Sequence, residues 1–459
     1  MAQAHLVPAS ELTRGKSAFD SHHPPLQKLI NDCVHCGFCL QTCPTYALWA
    51  QEMDSPRGRI YLMNSALAGT IQEMTPSFVK HFDTCLGCMA CMTACPSGVR
   101  YEPLIEATRA QIERNYRRSF ADRLHRWMIF QIFPHPNRLK AMLPLLWFYQ
   151  RSGLQKLLQV THALDPLPTG IRAMEALLPQ VSLDREEVPE RIAAQGSQRM
   201  RVGMLLGCVQ RVFFDDVNAA TARVLAAEGC EVLIPKEQSC CGALMTHAGR
   251  EAEAQEAARK LIDIFEPLSI DAFVINAAGC GSNLKSLGWL LRDDPAYAER
   301  AKAFAAKCRD LSEVLAELEP RAKYAPLRMK VAYQDACHLN HAQGIRVQPR
   351  AVLGRIPQLE VLDVPEAGIC CGSAGIYNMV EPVAAAQLGD RKAKHVYSTG
   401  ANLVVSGNPG CLLQMKNAFR RLGREIPAMH YVQVLDAAML GISAERLTRV
   451  SKGKGTRAA

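Results

Sequence analysis

No run of about eighteen apolar residues occurs in the 459-residue chain, so no spanning helix is expected. The nearest approach, AMLPLLWFY at 141–149, is short and carries a proline. The opening MAQAHLVPASELTRGKS lacks the apolar core of an export signal, so the chain is expected to stay in the reducing cytosol, where disulfide frameworks are rare. No G-x-G-x-x-G loop occurs, and no nicotinamide or flavin site is expected here. No Ser/His/Asp-type signature stands out either. An excess of one charge is also missing: the net +9 is modest for this length and fits an acidic partner, an anionic membrane surface or simply a basic exterior. No fold signature for nucleic-acid binding accompanies it.

What the chain does have is cysteine, eighteen in all, within a composition of 48% hydrophobic and 21% charged residues that marks a globular protein of two to four domains. Cytosolic cysteines are more often metal ligands or redox groups than disulfides. CVHCGFCLQTCP sets Cys33, Cys36, Cys39 and Cys43 at C-x2-C-x2-C-x3-C-P, and CLGCMACMTACP repeats this with Cys85, Cys88, Cys91 and Cys95. This is the bacterial ferredoxin spacing, in which three closely spaced thiolates wrap one cubane and the fourth reaches the other cluster. On that logic Cys33, Cys36 and Cys39 pair with Cys95, and Cys85, Cys88 and Cys91 pair with Cys43. Zinc is the alternative, but its sites use four ligands, usually as two separated C-x2-C pairs. Between the runs, QEMDSPRGRIYLMNSALAGT signals a helix start, with Asp54 or Ser55 as cap and Pro56 in the first turn. That insert resembles the all-helical ferredoxin domain of succinate dehydrogenase-type iron–sulfur subunits more than the small βαβ ferredoxin.

Residues 101–160 read as helical and basic. Over 105–160, ten Lys and Arg stand against three acids, with Trp127, Phe130, Phe133, Trp147 and Phe148 interleaved. Aromatics at helical spacing usually serve a core, and the competing reading is an amphipathic face for a membrane or partner. The stretch 165–201, with its prolines and GSQ, reads as a linker.

The rest of the chain is one unit written twice. Cys208, Cys240–Cys241 and Cys280 recur as Cys337, Cys370–Cys371 and Cys411, at offsets of 129, 130 and 131. Such register indicates duplication. Each unit alternates strand and helix, which predicts a parallel sheet covered by helices, with ligand groups beyond the carboxyl ends of the strands. All four cysteines of a unit fall in such positions, and glycine after each pair permits close backbone approach. The eight are candidates for a further cluster, for zinc, for a partner contact or for a structural role. Cys230 and Cys308 have no counterparts and read as core or free thiols, and His247 and His338 as local hydrogen-bonding groups.

The tandem runs, the phrase DSPRGRIYLM and the phrases CCGALMTHAG, NAAGCGSNLK and CCGSAGIYN resemble the iron–sulfur subunit of bacterial glycolate oxidase (glycolate dehydrogenase) over nearly the whole chain. Related families are lactate-utilisation iron–sulfur proteins, the corresponding subunit of anaerobic glycerol-3-phosphate dehydrogenase and heterodisulfide reductase. The resemblance implies an electron-transfer subunit with two [4Fe–4S] clusters on the eight cysteines from Cys33 to Cys95. Flavoprotein partners would oxidise glycolate to glyoxylate and pass electrons on toward a quinone. It implies peripheral association with the cytoplasmic face of the inner membrane. Rival readings are the equivalent subunit for lactate or glycerol 3-phosphate, and a heterodisulfide-reductase-like thiol/disulfide enzyme acting at the CCG sites. In that last family each set ends in C-x-x-C. Here the ends read Cys280-Gly-Ser-Asn283 and Cys411-Leu-Leu-Gln414, without the last cysteine. Hydride from a hydroxy acid must enter a flavin before clusters carry single electrons, so partner chains are required. The expected architecture is α+β multidomain: a mostly helical two-cluster domain (1–100), a basic helical segment and linker (101–200), cysteine-rich units at 201–325 and 326–445, and a basic tail (446–459).

Overall fold

The computed structural model describes residues 16–453. The helix Ala444–Gly453 takes up the start of the expected basic tail; 454–459 and the opening 1–15 lie outside the described residues. The chain divides into two compact units. One runs to Arg123 and includes 245–251; the other is the remainder. The break falls beyond the helix Tyr101–Asn115, not at residue 100.

The first unit is helical throughout its described residues. Its helices begin where the sequence places proline after a capping residue. Ser55 accepts from the Gly58 N–H at 3.1 Å ahead of Pro56, and Thr75 accepts from the Phe78 N–H at 3.2 Å ahead of Pro76. Proline loses nothing there, because the first helical N–H has no intrahelical partner. Of the two expected caps, Ser55 does the capping, while Asp54 turns inward toward His81 and Thr84. Met63, Phe82, Leu104 and Ile105 form the buried centre.

The second unit contains two sheets with helices between and around the strands. The first comprises β1 (Arg191–Ile192), β2 (Met200–Met204), β3 (Cys230–Leu233), β4 (Ala272–Ile275) and β5 (Cys308–Asp310), in the order β1-β3-β2-β4-β5. The second comprises β6 (Met329–Tyr333), β7 (Leu359–Asp363), β8 (Leu403–Ser406) and β9 (Ala428–His430), in the order β7-β6-β8-β9. Omitting β1, the two orders are the same, as duplication demands. The strands pair in parallel except β1, which lies antiparallel on β3. β1 comes from the stretch expected to be linker, which also forms the helix Thr169–Leu177. The pattern there is too short and polar to announce either element. β1 is fixed by Arg191, whose guanidinium meets Glu231 of β3. Val202, Val274, Leu225, Val331, Val405 and Tyr431 belong to one apolar cluster, so the two repeats share a core.

Candidate metal centres

In the first unit the two cysteine runs form equivalent loops. His35 and Gly37 have φ of +54° and +89°, and the matching Gly87 and Met89 have +61° and +60°. Each loop thus turns left-handed at the same two places and spends its glycine on a different one. The thiols of the two loops act on one another electrostatically, within each proposed set and across them. Burial raises the Cys33 thiol, and Cys95 and Cys36 raise it further. Burial also raises Cys91 well above the usual range, with Cys88, Cys85 and Cys43 of its own set and Cys39 of the other adding to it. Exposure divides the eight. Cys43, Cys85, Cys88 and Cys91 are buried, whereas Cys33, Cys39 and Cys95 are half-buried and Cys36 is exposed.

Basic side chains face the buried set. Arg59 is 1% exposed, and although burial opposes its charge, Cys85, Tyr101, Cys43 and Asp54 hold the guanidinium above its usual range. Against the cost of burial, Arg59 and Arg109 hold the Cys85 thiol below its usual range, helped by the Gly87 N–H at 3.4 Å and the Tyr101 hydroxyl at 3.7 Å. A buried cation beside several thiols suits an anionic thiolate-ligated group. Arg57 serves the exposed loop, donating to the His35 carbonyl at 3.0 Å while pairing with Glu52. Sequence reasoning misses these arginines. The one signal for Arg57 and Arg59 is the double arginine in DSPRGR, a phrase that by itself announces only a helix start, and Arg109 has none.

In the second unit both cysteine sets converge beyond the strand ends. Cys208 follows β2 and lies 3.4 Å from Cys240, sulfur to sulfur. Cys337 follows β6 and lies 3.7 Å from Cys370. Cys241 is hydrogen-bonded to Cys240 and Cys280, and Cys371 to Cys370 and Cys411. Each set is therefore a chain of four adjacent sulfurs. The glycine after each pair is left-handed, with φ of +84° at Gly242 and +89° at Gly372. A Cβ on Gly372 would lie 2.6 Å from the Ala385 carbonyl oxygen, so the loop backbone lies directly on the following helix. The two sets differ in their surroundings. The Cys240 hydrogen bond, then burial, raise Cys208 well above the usual range. In the second set His338 Nδ1 lies 3.6 Å from the Cys337 sulfur and Asn408 donates to Cys411 at 3.2 Å. Hydrogen bonds from Cys370 and Cys411 lower Cys371 well below its usual range despite burial, with the Ser373 N–H and Lys392 contributing.

Family models match in three parts: a 4Fe-4S dicluster domain at 32–99, the linker region of the glycolate oxidase iron-sulfur subunit at 121–178, and a cysteine-rich domain at 202–285 and again at 331–416. A Bacillus subtilis protein described as a probable glycolate oxidase iron-sulfur subunit is 41% identical over 89% of this chain and 93% of its own length. The glycolate oxidase iron-sulfur subunit of Escherichia coli is 36% identical over 90% and 94%. The chain belongs to the glycolate oxidase iron–sulfur subunit family. Lactate utilization protein A of Geobacillus kaustophilus is 30% identical, but over 52% of this chain.

Membership in that family gives meaning to the missing C-x-x-C cysteines. Asn283 donates to the Cys241 carbonyl at 2.8 Å, and Gln414 donates to the Ala385 carbonyl at 2.7 Å. The Asn283 amide therefore braces the first cysteine pair itself, and the Gln414 amide braces the helix Pro382–Ser398 against which the second pair's loop lies. The other singled-out cysteines stand apart from both sets: Cys230 opens β3 and Cys308 opens β5, each buried. His247 Nδ1 lies 3.8 Å from Glu106, and His338 Nδ1 lies 3.6 Å from the thiol of its chain neighbour Cys337, a local contact. One cluster was not anticipated. His22, His23 and Glu251 bring three ligand atoms within 4.8 Å of one another. The two rings stack at 4.2 Å, and Arg114 lies 3.5 Å from the Glu251 carboxylate, so that charge is already met. The cluster is an ion-pair junction.

Proposed function

We propose that this chain is the electron-transfer subunit of a glycolate-oxidising complex, carrying electrons from flavoprotein partners toward a quinone. The carrying observation is the division of the eight thiols by exposure, which follows the two crossover sets. Cys33, Cys36, Cys39 and Cys95 would hold one [4Fe–4S] cluster at the surface, and Cys43, Cys85, Cys88 and Cys91 the other in the interior. Bound clusters supply one-electron carriage. The protein's own part is to hold the thiolates and to set their charge environment. Arg59 and Arg109 face the interior set, where a desolvated cation counters thiolate charge and favours the more reduced state. The exposed Cys36 loop brings the other set within reach of a redox partner. The eight CCG cysteines are proposed as two further metal sites, the second better suited to an anionic group because His338, Asn408 and Lys392 surround it.

Low-temperature EPR on the anaerobically purified complex, before and after glycolate, tests this. A reduced [4Fe–4S] signal on glycolate is expected. A signal with dithionite alone would shift the substrate to lactate or glycerol 3-phosphate. No signal with either would remove the electron-transfer reading. Iron beyond two cubanes, lost on Cys370→Ser, is the expected result for the second CCG site; heterodisulfide-reductase-like chemistry would require activity that vanishes with it.

A further inference from the structure

The interior cysteine set has four buried thiols, so no ligand loop presents it to a partner as Cys36 presents the other set. Electrons held there need an outlet. An open cleft of about 560 Å³ lies in the same unit, within the size range of small-molecule sites. His81 lines it, on the helix Pro76–Asp83, one helical turn or roughly 6 Å before Cys85.

A short polar chain joins His81 to the interior thiols. Its Nδ1 donates to the Asp54 carboxylate at 2.8 Å. The same carboxylate oxygen accepts from Thr84 at 3.2 Å and faces the Arg59 guanidinium at 3.6 Å. Arg59 in turn donates to the His81 carbonyl and to Thr45, whose hydroxyl lies 3.1 Å from the Cys43 sulfur. Asp54 thus fixes the imidazole ring, and Nε2 is left for the cleft.

The walls of the cleft identify its ligand. Leu62, Ile71 and Phe78 supply apolar sides, and Thr70 and Ser77 supply hydroxyl donors. Glu73 also lines it, and no Lys or Arg does, which disfavours a phosphate or carboxylate. A neutral ring bearing carbonyl oxygens suits the apolar walls and the donors together. We infer that this cleft binds the headgroup of the quinone acceptor, with His81 Nε2 donating to one carbonyl oxygen. The inference rests on the electron-transfer reading above. Reduction of the quinone to the quinol takes the two electrons that glycolate yields, and two protons. Protonated His81 gives one proton from Nε2 while Asp54 holds the ring. Water at the open mouth supplies the other and reprotonates the ring.

Duroquinone, whose ring has no open position for a thiol to attack, is the probe. Equilibrium dialysis against the oxidised complex should show saturable binding. Ser77→Trp, at an exposed position on the cleft wall, should weaken that binding at least about tenfold by filling the site. His81→Gln keeps a donor for Asp54 and should still bind duroquinone. It should slow reoxidation of the clusters by duroquinone at least about tenfold, because the general acid is gone. Clusters prereduced with stoichiometric dithionite make that rate independent of glycolate. Cluster EPR signals at parent intensity show that folding survives in both variants. No saturable binding by the parent, undiminished binding by Ser77→Trp, or parent-rate reoxidation in His81→Gln each overturns the inference. Glycolate should still reduce the clusters in both variants. A missing glycolate signal in the parent therefore rejects the electron-transfer reading, whereas missing duroquinone binding rejects only the cleft.

Discussion

Cys88 and Cys308 are both buried, at 8% and 2% exposure, so burial does not separate a ligand from a core thiol. Surroundings do. Cys88 lies among Cys85, Cys91 and Cys43, whereas the Cys308 thiol donates to the Phe304 carbonyl at 3.4 Å. Cys88→Ser should remove one cluster signal from the EPR spectrum, keep the other, and halt turnover to quinone while substrate still reduces the flavin. Turnover at the parent rate would reject the ligand assignment. Cys308→Ser should keep every cluster signal and cost on the order of 1 kcal/mol, because the hydroxyl keeps the bond to Phe304. Iron content and a denaturant titration measure both halves of that expectation.

Among the elements, helix starts do more than open helices. Ser55 is fully buried, and its hydroxyl caps the helix Pro56–Leu67 while donating to Glu52 at 3.2 Å. That helix carries Arg57 toward the first cysteine loop and Arg59 toward the second set. Ser55→Ala should lower unfolding free energy by about 1 kcal/mol or more. It should also loosen both loops, read as faster cluster loss to a chelator. Stability lost without faster cluster release would confine Ser55 to capping. The same device recurs in the repeats. Asp310 caps the helix after β5, and His430 caps the helix after β9.

For the molecule as a whole, the shared core of the repeats gives His430 its weight. Its Nδ1 accepts from the Val432 N–H at 3.2 Å, so its Nε2–H donates to the Asn276 carbonyl of the other repeat at 2.9 Å. Burial pushes its pKa down from 6.5 to about 3, against the two carbonyls it faces. A depressed pKa means stability that is fully present above pH 6.5 and drains as pH falls toward 3. Between about pH 6.5 and about pH 5 the loss should be about 2 kcal/mol. His430→Gln should flatten that acid slope in denaturant titrations of the full chain at about pH 7 and about pH 5. An unchanged slope would show that His430 is not what acid attacks.

Two ferredoxin runs, a duplicated CCG unit and the strand–helix alternation are legible from residue type and spacing, because thiolate geometry and backbone periodicity are local. Spacing also proposes the crossover cysteine sets, and exposure divides the eight thiols along the same line. The linker's helix and β1 are not legible, since a two-residue edge strand is made by its neighbour and not by its own pattern. Nor are Arg59, Arg109 and Lys392, because an arginine or lysine declares itself against a thiol only once separate helices bring it there. Residue order alone therefore marked which atoms are candidates to bind metal and showed that the second half is one fold twice over. Folding had to supply which thiols are buried, which cations they meet, and the closure of the two repeats on one core, since burial and charge contact depend on residues far apart along the chain.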